Sequence, residues 1–357
     1  MKPITITSLL FEKISVLYNT QQENGYFLII QTSENITGYF GPLYKPYLSV
    51  YLELSKLLIG LNPLDTKKIW NLLWKQKIGG QVGLFMEFIS AIDCALWDIK
   101  GKYYNCPVYE LLGGATRDSV QAYASLLQYN ETSLDAVLTS QHFLERGFVM
   151  QKWPIRRYPD LDFAKQIRAV QSLIQDVPSA IFMFDVFGQW NRSEYMDFCN
   201  KMRDISVFWI EEPTPDEQLE ILSHIPVAIG EHGSNIFDFT RYVENKNIVY
   251  LQPDIGRCGG ITEAINILAL AKAYNKIIVP HGHHLMPALQ LAFSNDCKLI
   301  PLVEYHVTFE PRRQCFYKNP IRLCGSEIQI DLHCGLGMEY DESLILEREI
   351  LIIINRQ

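Results

Sequence analysis

The sequence lacks several features that would place it in familiar classes of protein. Eight cysteines occur in 357 residues without a C-x-x-C pair, and their irregular spacing disfavours a disulfide framework, so reduced thiols and a cytoplasmic location are expected. No Lys/Arg-rich run is present and the net charge is −8, which argues against nucleic-acid binding. No uninterrupted apolar stretch approaches the roughly 20 residues of a membrane span. We therefore expect neither nucleic acid nor membrane as a partner.

The chain also lacks low-complexity tracts and the features of a secretory signal. Its first residues, MKPITITSLLFEK, have no long apolar core and no small-residue cleavage site, and they are typical of a β-strand instead. Apolar residues make up 48% of the chain and charged residues 20%, which suffices to bury a large core. The length accommodates a small domain together with an α/β barrel of about 250 residues.

Residues 1–115 predict an α+β unit. Alternating apolar residues predict three strands, and apolar residues spaced i, i+3, i+4 predict helices after them. The strands are placed at Ile4–Ile6, Tyr26–Thr32 and Asn35–Gly41, and the helices at 48–76 and Phe85–Lys102. Gly113 and Gly114 mark the expected boundary with the part that follows.

Eight short apolar runs come next, with helix-like patterns between them. They are Val120–Ala124, Phe148–Lys152, Ile181–Asp185, Phe208–Glu211, Val227–Glu231, Ile248–Asp254, Ile277–His281 and Leu299–Glu304. Strands that alternate with helices predict a parallel sheet, and eight of them predict a closed βα barrel over residues 116–317. Residues 318–357 return to strand and turn signals. Because the barrel count is already complete, we expect this segment to pack back on the N-terminal unit.

Ionisable residues stand at the ends of six consecutive barrel strands. They are Asp185, Glu211, Glu231, Asp254, His281 and Glu304. Because the carboxyl ends of barrel strands meet at one rim, where barrel active sites lie, we expect these side chains to converge. A single acid at a strand end is often a helix cap, but six in register predict a functional site.

The carboxylates of this rim predict a bound divalent cation. Several carboxylates in one mouth repel one another and raise one another's pKa, and a hard cation with oxygen ligands removes the conflict. We assign Asp185, Glu211 and Glu231 as ligands of Mg²⁺, with Mn²⁺ as an alternative. Asp254 and His281 follow on successive strands and are expected to pair, so that the imidazole becomes a general base.

Neighbouring polar residues carry further predictions. Glu304 is expected to have a raised pKa and to donate a hydrogen bond as a protonated acid, and Glu212 is expected on the opposite face from Glu211, in an ion pair or a structural contact. Three histidines either line the pocket or are exposed in loops: His232, His283 and His284. Four arginines are interpreted as surface charge, unless one of them binds an anionic substrate: Arg156, Arg157, Arg312 and Arg313.

These motifs together resemble the enolase superfamily, and within it the mandelate racemase subgroup. Ser90–Gly101, followed by Leu111–Gly114, resembles the helix of the family's capping domain. The resemblance covers nearly the whole chain. It implies a modified TIM barrel, (β/α)7β, with an N-terminal α+β capping domain completed by the C-terminal segment. It also places the family's three metal carboxylates, its His–Asp dyad and its electrophilic Glu on the six rim residues.

The second barrel strand departs from the family's pattern. The subgroup usually ends this strand with Lys-x-Lys, whereas this chain has Gln151–Pro154. Lys152 matches the first Lys, which contacts the substrate carboxylate. Pro154 replaces the second Lys, a base on one face of the substrate. Racemisation by two opposed bases is therefore disfavoured, while His281 alone suffices for elimination of water.

Local segments are most similar to acid-sugar dehydratases, in particular to the L-rhamnonate dehydratase-like branch. They include Phe184–Trp190 and Pro280–His283, although Phe187 is apolar where several relatives carry a polar residue. The resemblance implies an aldonate substrate whose C1 carboxylate and 2-hydroxyl bind Mg²⁺. His281 would remove the C2 proton and the 3-hydroxyl would leave as water, which gives a 2-keto-3-deoxy acid. We also expect a homo-oligomer, since barrels of this kind commonly assemble.

Several alternatives stay open at this point. The same site would serve an epimerase or a cycloisomerase, and a non-catalytic metal-binding homologue has the same residues. A metal-dependent hydrolase would show H-x-H on the first barrel strand, and Val120–Ala124 has none. The segment Ser15–Gly25 is either a specificity loop or a plain turn between two strands. In a specificity loop, the polar residues of this segment that would contact the sugar hydroxyls are Tyr18, Asn19, Gln21, Gln22 and Glu23.

Overall fold

A computed structural model describes residues 3–43, 48–76, 82–157, 162–215, 223–330 and 333–355 of the chain. In this described part, fourteen strands form two sheets, one of four strands and one that curves into a barrel. No helix of the described residues is long and apolar enough to cross a bilayer. None of the eight cysteines, all of which are described, forms a disulfide.

The four-stranded sheet is antiparallel and combines the two ends of the chain. Its order is β14-β1-β2-β3, with β1 Ile6–Tyr18, β2 Gln21–Thr32, β3 Thr37–Leu43 and β14 Ile345–Asn355. The helices that follow β3 are α1 Leu48–Ser55, α2 Thr66–Trp74, α3 Leu84–Tyr104 and α4 Val108–Leu111, with a short 3-10 helix at Lys56–Leu58. The central helix α3 is buried along most of its length, because sheet and barrel cover it from two sides.

Eight parallel strands form the barrel. They are β4 Ser119–Ser125, β5 Met150–Pro154, β6 Ile181–Asp185, β7 Trp209–Glu211, β8 Val227–Ile229, β9 Ile248–Leu251, β10 Ile277–Ile278 and β11 Leu302–His306. Neighbouring strands pair in chain order from β4 to β10, and β11 pairs in parallel with β4, which brings the two ends of the ring together. The Ile278 amide donates to the Leu299 carbonyl at 2.8 Å and links β10 to the turn that precedes β11.

Helices cover the outside of the barrel. They are α5 Ala136–Glu145, α6 Phe163–Asp176, α7 Arg192–Lys201, α8 Ile236–Glu244, α9 Gly260–Ala273, α10 Leu285–Ser294 and α11 Phe309–Gln314, with a 3-10 helix at Gly282–His284. Large side chains such as Tyr123, Met183 and Trp209 fill the lower interior, as in other barrels of this size. The floor of the barrel is therefore packed, and within the described barrel interior the rim above it is open for a site.

The predicted fold class is confirmed: an α/β barrel of eight strands carries an N-terminal α+β cap. The strand bounds differ by a few residues, because β8, β9 and β10 end before the acidic or histidine residue that was counted into them. The C-terminal segment divides between the two sheets. Its strands β12 Leu323–Cys324 and β13 Glu327–Gln329 pair with each other, and β13 also pairs antiparallel with β4. The rest of the segment does pack on the cap. Leu336 N donates to Asp98 of α3 at 2.8 Å, Tyr340 contacts Phe27 and Tyr39, and β14 pairs with β1.

Candidate active site

The six predicted rim residues come together at the carboxyl ends of the barrel strands. Asp185 and Glu211 are the last residues of β6 and β7, and they are neighbours in the strand register. Glu231 follows β8 after Gly230, whose φ of 131° turns the chain over the rim. Asp254 and His281 stand three residues beyond their strands, and Glu304 lies within β11. All six stand at the rim, as expected from the strand ends.

Three of the carboxylates form a compact group. One oxygen each from Asp185, Glu211 and Glu231 lies within 4.8 Å of the others. Burial and the neighbouring Glu211 carboxylate raise the pKa of Asp185 well above its usual value. Burial also raises the pKa of Glu211, against the opposing charge of Lys152. Three oxygens at this separation, with their charges in conflict, suit a hard divalent cation.

Lys152 lies among these carboxylates and is completely buried. Its Nζ is 2.5 Å from Glu211 Oε1, 2.8 Å from Glu304 Oε1 and 3.6 Å from Asp185 Oδ2. Burial lowers its pKa, but Glu211 and Glu304 raise it more, so the net pKa lies well above the usual value. Lys152 therefore carries a full positive charge at the centre of the mouth.

The predicted dyad is formed as well. His281 Nδ1 lies 2.8 Å from Asp254 Oδ2, and His281 Nε2 lies 3.2 Å from Glu231 Oε2. Burial lowers the pKa of His281, yet Glu231 and Asp254 outweigh it and raise the pKa to about 9. The His281 imidazole thus lies between Asp254 and Glu231 and contacts both.

Glu304 differs from its prediction. We expected a raised pKa, and burial does act in that direction, but Lys152 and His281 hold the pKa of Glu304 below its usual value. The cause is proximity, since Lys152 lies 2.8 Å from one oxygen and the Gly282 amide donates to the other at 2.8 Å. Glu304 is therefore an ionised partner of Lys152 in this arrangement.

Glu212 forms an ion pair, as predicted, but does not lie on the expected face. Its φ of 40° breaks the alternation of β7, so the side chain does not simply take the opposite face. Its Oε2 is 3.6 Å from His232 Nε2, and His232 is 3.1 Å from Glu231 Oε1. Glu212, Glu231 and His232 thus form a second group of possible metal ligands. We favour the all-carboxylate group, because it is adjacent to Lys152 and His281, whereas the His232 side chain is 65% exposed.

Two supporting residues were missed from the sequence. Gln252 is buried and donates from Nε2 to Glu211 Oε2 at 2.6 Å, and Trp209 Nε1 donates to the same oxygen at 3.2 Å. Both stand two residues before a rim acid, so a period of two already places them on the inner face. Together with Lys152 they hold the Glu211 carboxylate in one orientation.

The segment Ser15–Gly25 forms a hairpin instead of an open loop. β1 ends at Tyr18 and β2 begins at Gln21, and both turn residues have positive φ, 45° at Asn19 and 69° at Thr20. Such a two-residue turn matches the twist of the flanking strands. The hairpin touches the barrel through Glu23, which accepts two hydrogen bonds from Arg312 at 2.8 and 2.9 Å.

The other three arginines also have partners within the chain. Arg157 pairs with Glu194 at 2.6 Å, and the Arg156 guanidinium lies 4.4 Å from the centre of the Phe187 ring. Arg313 donates to the Gly282 carbonyl at 3.1 Å and lies 2.9 Å from His283 Nδ1. Arg313 therefore braces the turn that carries His281.

Fold and site together define a capped barrel enzyme, and comparison with known proteins gives its family. The model of the enolase C-terminal domain-like family matches residues 136–344, and that of the mandelate racemase/muconate lactonizing enzyme N-terminal domain matches residues 12–113. The chain therefore belongs to the enolase superfamily, and it is an enzyme of the dehydratase (hydro-lyase) class.

Individual relatives agree with this assignment. D-galactonate dehydratase of Ralstonia pickettii (strain 12J) is 28% identical over 351 residues, with 90% of each chain covered. The same enzyme of Pectobacterium atrosepticum is 29% identical over 350 residues, again with 90% of each covered. The solved L-talarate dehydratase of Polaromonas sp. JS666, in complex with Mg and L-glucarate, is 23% identical with a TM-score of 0.82 and covers 99% of this chain and all of its own.

Proposed function

We propose that the protein is a Mg²⁺-dependent dehydratase that converts an aldonate to a 2-keto-3-deoxy acid. The observation that carries the proposal is the adjacency of base and carboxylate group, with His281 Nε2 3.2 Å from Glu231. A base beside a cation site suits abstraction of a proton next to a carboxylate. The curated relatives are D-galactonate dehydratases, which makes D-galactonate the first substrate to test. The L-rhamnonate dehydratase-like branch stays a prediction.

Asp185, Glu211 and Glu231 would hold the cation. The donor set fits, because it consists of three carboxylate oxygens within 4.8 Å of one another, the ligand type that Mg²⁺ prefers and Mn²⁺ accepts. When bound, a cation there supplies Lewis-acid stabilisation of negative charge on a substrate carboxylate and reduces the pull of Glu231 on His281.

His281 would move the C2 proton. Its Nδ1–H donates to Asp254, which leaves the lone pair of Nε2 directed at the mouth. The proton passes from C2 to Nε2 and the electron pair of the C–H bond moves into the carboxylate. The bond from C3 to its hydroxyl then breaks, and the hydroxyl takes a proton and leaves as water. The enol that remains becomes the 2-keto acid.

His281 is also the better source of that second proton. The competitor His283 faces Arg313, at 2.9 Å from its Nδ1. Burial and the Arg313 charge hold the pKa of His283 well below its usual range, so it is not protonated near neutral pH. His281 carries the proton that it has just accepted and can return it to the leaving hydroxyl.

Lys152 and Glu304 would bind the substrate carboxylate. Lys152 offers its positive charge to one oxygen. A substrate that draws Lys152 away from Glu304 also removes the charge that lowers the pKa of Glu304. Glu304 would then take up a proton and donate a hydrogen bond to the carboxylate, which strengthens as negative charge builds up there.

Elimination is favoured over epimerisation because a second base is missing from β5. Pro154 occupies the next position on the same face as Lys152 and is buried. It cannot accept a proton. The alternative reactions of the superfamily would need a base from another element.

The test is a screen of purified protein with Mg²⁺ against acid sugars, D-galactonate among them, read as formation of 2-keto acid. We expect a product with one or a few aldonates, and loss of product with EDTA. His281→Asn should abolish turnover, whereas His142→Asn, the same change at an exposed histidine on α5, should not. Turnover retained by His281→Asn would contradict the role of the base, and silence with every aldonate would contradict the substrate class.

A further inference from the structure

Asp254 is held by two imidazoles, and the proposed function uses only one of them. Its Oδ2 faces His281 Nδ1 at 2.8 Å, while its Oδ1 faces His284 Nδ1 at 3.1 Å. The Gly256 amide also donates to Oδ1, at 2.7 Å. Asp254 is completely buried and His284 is 5% exposed. The contact with His284 is therefore removed from solvent.

The surroundings of His284 place its ring hydrogen. An ionised carboxylate only accepts hydrogen bonds, so the nitrogen that faces Asp254 must carry a hydrogen. His284 Nε2 is buried and has no hydrogen-bond partner among the described residues. A second hydrogen there would be a buried donor without an acceptor, which is costly. The ring hydrogen of His284 thus lies on Nδ1, towards Asp254.

The chain makes room for this contact in two places. A Cβ at position 256 would lie 2.1 Å from His284 Nδ1, so Gly256 is the residue that admits the ring. On its other side, the ring stacks on Phe40 of β3, with centroids 5.0 Å apart and planes at 23°. Because β3 belongs to the cap, the cap supports His284 from behind.

We propose that His284 is a positioning residue that orients Asp254 for His281. Its Nδ1–H occupies one carboxylate oxygen and leaves the other to the catalytic imidazole. Asp254 then has one orientation, and His281 has its hydrogen on Nδ1 and its lone pair at the mouth. Without His284, the carboxylate keeps only the Gly256 amide on Oδ1 and is held less firmly, so that the hydrogen of His281 is distributed over both ring nitrogens.

The kinetic part of this inference rests on the proposed function, and three substitutions test it. His284→Asn places an amide nitrogen where Nδ1 lies, His284→Gln places one nearer to Nε2, and His284→Phe keeps only the stack on Phe40. We expect kcat to stay within about threefold of wild type for Asn and to fall about 10- to 100-fold for Gln and Phe. KM should change little, because His284 does not face the mouth.

A second measurement needs no substrate. With ¹⁵N-labelled histidine, NMR of the purified protein at a pH above 9, where His281 has lost its second hydrogen, should show the remaining hydrogen on Nδ1 in the wild type and in His284→Asn. It should show a mixture of tautomers in His284→Phe. This result would stand even if no acid sugar were turned over, so failure of the inference and failure of the proposed function are distinguishable.

The outcomes that overturn the inference are equally definite. Wild-type kcat in His284→Phe, or an unchanged His281 spectrum in that variant, would show that Asp254 needs no second imidazole. Equal losses in Asn and Gln, with matching losses of thermal stability, would make His284 a packing residue. If His284→Phe does not fold, the difference in kcat between His284→Asn and His284→Gln still tests the inference.

Discussion

Buried carboxylates occur in two regions of this molecule, and the two regions treat them differently. At the junction between cap and barrel, Asp93 of α3 is 2% exposed and accepts from Thr262 N at 2.8 Å and from Thr262 Oγ1 at 2.5 Å. Thr262 lies in the first turn of α9, where unpaired amides attract an anion. At the barrel mouth, Asp185, Glu211 and Glu231 face one another instead.

The two regions differ in the groups that neutralise the buried carboxylates. The chain itself supplies every partner that Asp93 uses, whereas the mouth holds three mutually repelling carboxylates with Lys152 and His281 as the cations within reach. Both regions raise the pKa of an acid by burial. Burial of an acid is therefore no sign of function by itself. A site is indicated where carboxylates are brought together and left for an outside cation.

The largest expected effect comes from neutralising one carboxylate of the mouth. Asp185→Asn should lower kcat on the order of 10³-fold, since a cation ligand is lost. In EDTA, the free energy of unfolding of the same variant should be about 1 kcal/mol higher than that of wild type, because a repulsive charge is removed. An activity assay measures kcat, and thermal unfolding with and without Mg²⁺ measures the change in stability. A variant less stable than wild type in EDTA would show that the mouth is not electrostatically strained.

Removing the positive charge of Lys152 should have the opposite effect and lower the stability. Lys152→Met keeps the length of the side chain but leaves Glu211 and Glu304 without their ion pair. We expect the free energy of unfolding to fall by about 3–5 kcal/mol, as for other buried charges that lose a partner. Urea unfolding in EDTA is the measurement. Unchanged stability would mean that the carboxylates share protons and do not depend on Lys152.

One added methyl group should disrupt the contact between cap and barrel at Asp93. In Gly260→Ala the Cβ would lie 2.5 Å from Asp93 Oδ2, at a φ of 77°. Gly113→Ala is the matched control, with a positive φ of 120° and no atom within 4 Å of the added Cβ. We expect Gly260→Ala to destabilise the protein by about 1–3 kcal/mol more than the control. Equal losses would mean that the contact with Asp93 gives way freely.

The last prediction is a pH dependence carried by Asp93. Burial raises its pKa to about 7, against the hydrogen bonds from Thr262. The folded state therefore holds this proton at pH values where the unfolded chain, with a pKa near 3.9, has lost it. Stability from this group is complete below about pH 4 and is lost as pH rises toward 7.

The variant Asp93→Asn isolates that pH effect, since its amide does not titrate. The difference in unfolding free energy, wild type minus Asp93→Asn, should fall with a slope of up to about 1.4 kcal/mol per pH unit between pH 4 and 7. Urea unfolding at several pH values measures it. A difference independent of pH would place the pKa of Asp93 near its unfolded value.

Local patterns in the sequence predicted the barrel and the position of each rim residue. The eight strands follow from apolar runs separated by helical periodicity. The six rim residues follow from the rule that parallel strands in a barrel end at one face. The pairing of Asp254 with His281 needed only that their strands be neighbours. Lys152 was found through the family resemblance.

The tertiary structure decided everything that depends on distances across the ring. The direction of the pKa of Glu304 was predicted incorrectly, because Lys152 stands 152 residues earlier in the chain and only barrel closure brings it within 2.8 Å. Glu212 was placed on the wrong face, because a single positive φ overrides the period of a strand. His284 could not be distinguished from a loop histidine until Gly256 and Phe40 were seen around it.

The division between sequence and structure thus has a physical cause. Periodicity and chain ends are local properties, which hydrophobic burial and backbone geometry impose on a few neighbouring residues. Charge interactions fall off with distance and with the dielectric around them, and both depend on elements far apart in the chain. The sequence by itself determined which groups reach the mouth of the barrel, and only closure of the barrel decided which of them share a proton or a charge.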